Sequence, residues 1–198
     1  ASGRTDAGVH SLGQTANFKT ESSIPVEKFA IAINSKLKKS IIIKKAEEVD
    51  ERFHSRYSVK SKRYRYTINN SEMGTAIYRD MEYHFPIKLD VEKMQEAAKY
   101  FEGEHDFKAF KASGTSSKSS VRTIYKAEVS SNEERIYIEL TGNGFLYNMV
   151  RIISGTLLDV GIGKIKPEEI KNIIEEKERS KAGRTLPAHG LCLMEVTY

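Results

Sequence analysis

The chain has 198 residues, 39% of them hydrophobic and 30% charged, with a formal net charge of +5 and one cysteine. This is the composition of an ordinary globular protein, and it excludes a disulfide framework and a disordered polar chain. No apolar run approaches the ~20 residues a bilayer helix needs, and the start has neither a basic nor an apolar leader region, so a cytoplasmic protein without a membrane partner is expected.

The chain opens on ASGRTDAGVH, whose Gly, Asp, Ser and Thr content reads as a turn or loop. QTANFKT (14–20) alternates and predicts a strand. IPVEKFAIAINSKL predicts a helix, with Pro25 near its start and Phe29, Ala30, Ile33 and Leu37 on one face. SIIIKKAEEV (40–49) is strand-like. In KRYRYTI (62–68), Lys62, Tyr64, Tyr66 and Ile68 point one way and Arg63, Arg65 and Thr67 the other. A turn-rich segment, 69–88, ends in an aromatic cluster. Asp90 is placed to cap a helix carrying Val91, Met94, Ala97, Ala98 and Phe101. KASGTSSKSS (111–120) is a polar loop that a ligand could order. A hairpin around Ser131 and Asn132 follows, then a helix from Phe145 to Val160 with Asn143 as cap and Gly161 as stop. KPEEIKNIIEEKER predicts another helix, and LCLMEVTY a closing strand. Strands do not alternate regularly with crossover helices, so the expected class is α+β, an antiparallel sheet with helices on one face.

Asp6 sits on a Gly-flanked loop, where a carboxylate can be a metal ligand, a general base or a nucleophile. The five histidines are scattered, Cys192 reads as a buried structural thiol, and no Walker or Cys/His spacing occurs, so no metal or cofactor is expected. A lone acid near arginines suits a carboxylate oriented by a guanidinium. Arg4 is the local candidate. Arg151, in FLYNMVR, is the distant one, either solvent-facing or reaching into a cleft. RFHSRYSVKSKRYR (52–65) carries Arg52, Arg56, Lys60, Lys62, Arg63 and Arg65 with no acid and three aromatics between them. Tyr64 and Tyr66 are either half-buried strand residues or a stacking platform for a nucleobase.

Taken together, GRTDAGVHSLGQ, RFHSRYSVKSKRYRY, NGFLYNMVRIISG and LPAHGLCLMEV occur in the order of four motifs of one family. The chain resembles the tRNA pseudouridine synthase A (TruA) family over essentially its whole length. The resemblance implies a two-domain pseudouridine synthase fold, with residues 1–51 the remainder of a first domain carrying the catalytic motif and 52–198 the second. It implies that Asp6 is the catalytic aspartate, that Arg151 pairs with it, that Arg4 belongs to the site and that Tyr64 stacks on the target uridine. Leu146 and Met149 would line the pocket, while Arg52, Arg56, Lys62, Arg63 and Arg65, with the 111–120 loop, would grip tRNA phosphates. The implied substrate is uridine at positions 38–40 of the tRNA anticodon stem-loop, the implied working unit a homodimer, and no cofactor is implied. The family also has a strand, a helix and an aromatic segment ahead of GRTD that this sequence lacks. An incomplete first domain is therefore expected, and with it the alternative of an RNA-binding module without catalysis.

Overall fold

A computed structural model describes residues 1–114 and 119–198. Its elements run β1 (His10–Ser11), α1 (Val26–Asn34), β2 (Ser61–Asn69), β3 (Tyr83–His84), α2 (Val91–Lys99), β4 (Gly103–Asp106), β5 (Val121–Asn132), β6 (Arg135–Gly142), α3 (Met149–Gly161), α4 (Glu169–Glu176) and β7 (Leu191–Thr197). Short 3-10 turns lie at Phe107–Phe110 and Ala188–Gly190.

The strands form one sheet in the order β1-β7-β2-β6-β5-β4, with β3 added beside the end of β2. All its pairs are antiparallel except the two-residue ladders β1–β7 and β2–β3. Register carries the alternation of β2 into the core. Tyr64 faces Leu140, Tyr66 faces Ile138 and Ile68 faces Ile136, so one side of the sheet is apolar. That side is covered by α2, which packs on β5, and by α3, which packs on β2 and α2. Tyr66, Ile68, Ile138 and Leu140 are thereby fully buried, together with Met94 of α2 and Ile152, Ile153 and Leu157 of α3. The fold is α+β, a mostly antiparallel sheet with helices on one face, as the element order suggests.

Several elements depart from the sequence reading. Residues 14–20 and 40–49 form no strand. Alternation alone does not make one, because a strand's N–H and C=O groups need a neighbour, and these have no ladder partner among the described residues. α1 is shorter than expected and buries no residue completely. β4, for which the sequence offered no strand, forms at Gly103–Asp106 because it pairs with β5 from Gly103 opposite Ile124. The hairpin turns two residues later than expected, with Glu133 at φ 54°. α3 starts at Met149 because Asn148 takes the left-handed φ of 60°. Asn143 does not cap it; its side chain instead accepts the Thr123 N–H at 3.0 Å. Of the polar loop expected over 111–120, residues 115–118 lie outside the described residues.

Candidate active site

The loop of GRTDAGVH folds back on itself at Asp6. The Val9 amide donates to the Asp6 carbonyl at 3.1 Å, and Gly8 adopts φ +84° to close the turn. Space is not what requires glycine there, since a Cβ would make only ordinary contact with Ala188 at 3.5 Å. The dihedral is what requires it.

The turn aims the Asp6 side chain at α3. Arg151 Nη1 donates to Asp6 Oδ2 at 2.9 Å and to Asn148 Oδ1 at 2.8 Å, while its Nε donates to the Leu186 carbonyl at 2.7 Å. The guanidinium is thus fixed at both ends, and the left-handed Asn148 brings its amide oxygen under it. The pair is partly shielded, with 16% of the Arg151 side chain and 29% of the Asp6 side chain exposed. A charge-assisted bond in such a setting is firmer than one between exposed groups. Asp6 Oδ1 takes no hydrogen bond among the described residues, so one carboxylate oxygen remains open to a ligand.

Tyr64 stands beside this pair. Its ring meets Phe145 edge-on, at 5.2 Å between centroids and 84° between planes. Burial, and then the negative charge of Asp6, push its phenol up to about 12, so it stays a neutral O–H donor at physiological pH. Behind it, Tyr66 donates its hydroxyl to the Pro187 carbonyl at 2.8 Å. This bond fixes the 186–190 segment whose Leu186 carbonyl holds Arg151.

The start of the loop is held by polar clamps. Fully buried Ser2 donates its amide to the Thr15 carbonyl at 2.7 Å, and its hydroxyl bonds to the Gln14 side chain. Gln14 Nε2 donates to the Gly3 carbonyl at 3.0 Å, and Lys62 Nζ donates to the Ser2 carbonyl at 2.6 Å. Burial, and then the nearby Arg56, hold the Lys62 amine below its ordinary value.

The structure therefore brings Asp6, Arg151 and Tyr64 together and scatters the rest. Arg4 is exposed and has no partner among the described residues. Leu146 is 5% exposed and Met149 is fully buried, so Met149 backs the site without facing a ligand. Arg52 and Arg56 are exposed, with the Arg56 guanidinium 5.7 Å from the centroid of the outlying Tyr57 ring. Lys62 reaches the Ser2 carbonyl. Arg63 and Arg65 occupy the opposite face of β2 from Tyr64, paired with Glu139, and Arg63 with Glu195 as well. Sequence reasoning gave Asn148, Phe145 and Gln14 no role in the site. For Asn148 a signal existed, since it precedes Arg151 by one helical turn's spacing. Gln14 carried none.

The structure thus sets an aspartate on a loop, paired to a helix arginine, beside a strand tyrosine on a helix-backed antiparallel sheet. Comparison with known sequences shows the family. The profile of a family described as tRNA pseudouridine synthase matches residues 1–58 and 97–198. The tRNA pseudouridine synthase A of Acetivibrio thermocellus is 55% identical over 195 residues, which is 98% of this chain and 80% of that protein. The enzyme of the same name from Caldicellulosiruptor saccharolyticus is 53% identical over 197 residues, 100% of this chain and 81% of the relative. That from Bacillus pumilus is 50% identical over 198 residues, 100% of this chain and 80% of the relative. The chain belongs to the tRNA pseudouridine synthase family, a family of isomerases.

Proposed function

We propose that this protein isomerises uridine to pseudouridine in the anticodon stem-loop of tRNA, with Asp6 as the nucleophile. The observation that carries the reading is the Asp6–Arg151 pair at 2.9 Å, set beside Tyr64 with one carboxylate oxygen open. The target base leaves its stack to reach a protein carboxylate, and a Tyr64 face offsets part of the stacking it loses. Arg151 keeps the carboxylate aimed while Asn148 and Leu186 hold Arg151. In the reaction the N1–C1′ bond breaks, the uracil turns, and a C5–C1′ bond forms. The C5 proton leaves to solvent and N1, which carried none while bonded to C1′, takes one up, so the product has the formula of the substrate and no oxidant or co-reactant is consumed.

Exposed Arg52 and Arg56, next to the site-bearing strand, suit phosphate contacts that position the tRNA without reading its sequence. The family resemblance adds a homodimer in the cytoplasm as the working unit, which sedimentation of the purified protein with and without tRNA checks.

The test is release of tritium from tRNA carrying 5-tritiated uridine. Wild type is expected to release it, and Asp6→Asn to release none while binding tRNA within about two-fold, because affinity comes mostly from phosphate contacts. Release by Asp6→Asn at the wild-type rate overturns the nucleophile. Binding without release by the wild type would make the chain an RNA-binding module.

A further inference from the structure

A second opening lies at the other end of β2 from the Lys62 clamp. It is a cleft of about 380 Å³ lined by Met73, Thr75, Arg79, Tyr83, His84 and His189, with Gly74 and Glu82 in its wall. Its size is in the range of small-ligand sites. It also shares structure with the Asp6 site. His189 belongs to the 186–190 segment that holds Arg151 through Leu186. The His10 ring, in β1 just after the Asp6 loop, bonds to the Asp80 carbonyl at 2.6 Å, tying the 73–84 segment to the end of that loop. Tyr83 stands opposite Ile68, four residues along β2 from Tyr64, or about 13 Å at strand rise. The Tyr66 phenol between them feels both Tyr83 and Arg151.

The chemistry of the lining is selective. Glu82 is the one buried carboxylate in it, and it is already satisfied. Asn69 donates to one oxygen at 2.7 Å and Arg135 to the other at 2.7 Å, and the residue is 4% exposed. Its charge is therefore no barrier to an anion. His189 has no partner among the described residues, and one His84 ring nitrogen is committed to the Ser71 carbonyl at 2.9 Å. Among the described residues Arg79 is tied only to neighbouring Asp80, at 3.5 Å and with both side chains mostly exposed, a pair that solvent largely screens. Gly74, at φ +68°, lets the chain pass the His84 ring, which a Cβ would meet at 3.0 Å. An arginine and two imidazoles beside a tyrosine ring and an exposed Met73 offer one cation, ring nitrogens able to hydrogen-bond and flat apolar faces in one small space.

We propose that this cleft holds a nucleotide flanking the target uridine on the same RNA strand, with Arg79 and His189 toward its phosphate and Tyr83, His84 and Met73 against its base. The site rests on the proposed uridine isomerisation and deepens it, since it gives the enzyme a grip on the strand next to the flipped base. Stacking on such faces is sequence-tolerant, whereas the phosphate contact is salt-sensitive.

The test compares wild type with Arg79→Ala and with Thr75→Trp, which fills the cleft. Neither residue is hydrogen-bonded or ion-paired to Asp6 or Arg151. In the tritium-release assay with tRNA, both variants should raise KM about ten-fold and leave kcat within two-fold, with unchanged thermal midpoints. Arg79→Ala should also lower the salt dependence of tRNA binding by about one phosphate contact. Wild-type KM in both variants overturns the cleft while leaving the isomerase standing. If wild type releases no tritium, the isomerase reading falls, and filter binding of tRNA decides the cleft alone. Weaker binding by Thr75→Trp then supports it, and equal binding overturns it.

Discussion

The residues before β2 and those from β2 onward are held by different forces. Every member of the buried apolar cluster lies between Tyr66 and Leu191. The earlier segment buries no α1 residue completely, and its Phe18, Ile31 and Ile42 are largely exposed. Val9 packs against that cluster and β1 pairs with β7, and further contacts that hold the segment are polar clamps: Gln14 and Lys62 on the Ser2–Gly3 backbone, Asn17 on the Ser55 amide and Asn34 on Ile43. Asp6 belongs to this hydrogen-bonded segment, whereas Arg151 and Tyr64 belong to the part built on the apolar core. The site is therefore made across a contact between a soft element and a stiff one. Changes in the stiff part should cost stability and activity together, and changes in the clamps should cost activity first.

The sharpest test removes the stiff partner's charge. Arg151→Leu leaves Asp6 unpaired and frees Asn148, and we expect kcat to fall on the order of 10²–10³-fold, the scale of losing one aimed donor at a reacting group. A rate within ten-fold of wild type would mean that Asp6 is held in place without α3. Tyr64→Ala comes next, with a loss of about 1–3 kcal/mol from the stack on the target base. Tyr64→Phe should keep most of the rate and instead alter alkaline stability. With its phenol held up to about 12 in the folded protein, Tyr64 stabilises fully below its ordinary value near 10, and that contribution is lost as pH climbs from there toward 12. In Tyr64→Phe, urea unfolding midpoints should consequently fall less steeply above pH 10 than in wild type. Equal slopes would mean that the ring is not sequestered.

The soft side is probed by Lys62→Met, which keeps the stem of the side chain and removes its donor. The Ser2 carbonyl loses a charged hydrogen bond, and a kcat lower by on the order of ten-fold is expected, with tRNA affinity changed less than two-fold. The reverse pattern, weaker binding at full kcat, would make Lys62 an RNA contact and dissolve the contrast between clamp and core.

The core-built part was the more legible one in sequence. The alternation of β2, the Asp90 cap, the stripe of α2 and the closing strand are local patterns, and the structure contains each of them. The segment before β2 was not, because 14–20 and 40–49 carry a strand's pattern without a strand's partner. Within the site, residue types were readable from motifs, and the pairing of Asp6 with Arg151, 145 positions apart, was implied by the family resemblance alone, since no local pattern links them. The backbone carbonyl of Leu186 leaves no mark in the sequence, and of Asn148 only its spacing to Arg151 is visible there.

The smallest expected effect concerns the two faces of β2. Read as a string, Arg63 and Arg65 belong to a basic run suited to phosphates. Alternation sends them to the side away from Tyr64, where Glu139 accepts from both, at 3.4 Å and 2.8 Å, and Glu195 from Arg63 at 3.2 Å. The Arg65 guanidinium also lies 5.1 Å from the centroid of the Tyr137 ring. Guanidiniums engaged in this way release few counterions on binding RNA, and half-exposed pairs of this kind contribute about 0–1 kcal/mol to stability. The double variant Arg63→Ala/Arg65→Ala should therefore change tRNA affinity less than two-fold and leave the salt slope intact. Arg52→Ala/Arg56→Ala, on exposed groups without acidic partners among the described residues, should weaken binding several-fold and lower the slope. If the first pair lowers the slope and the second does not, the tRNA lies on the far face of the sheet, and the Asp6–Arg151–Tyr64 cluster is not where the uridine goes.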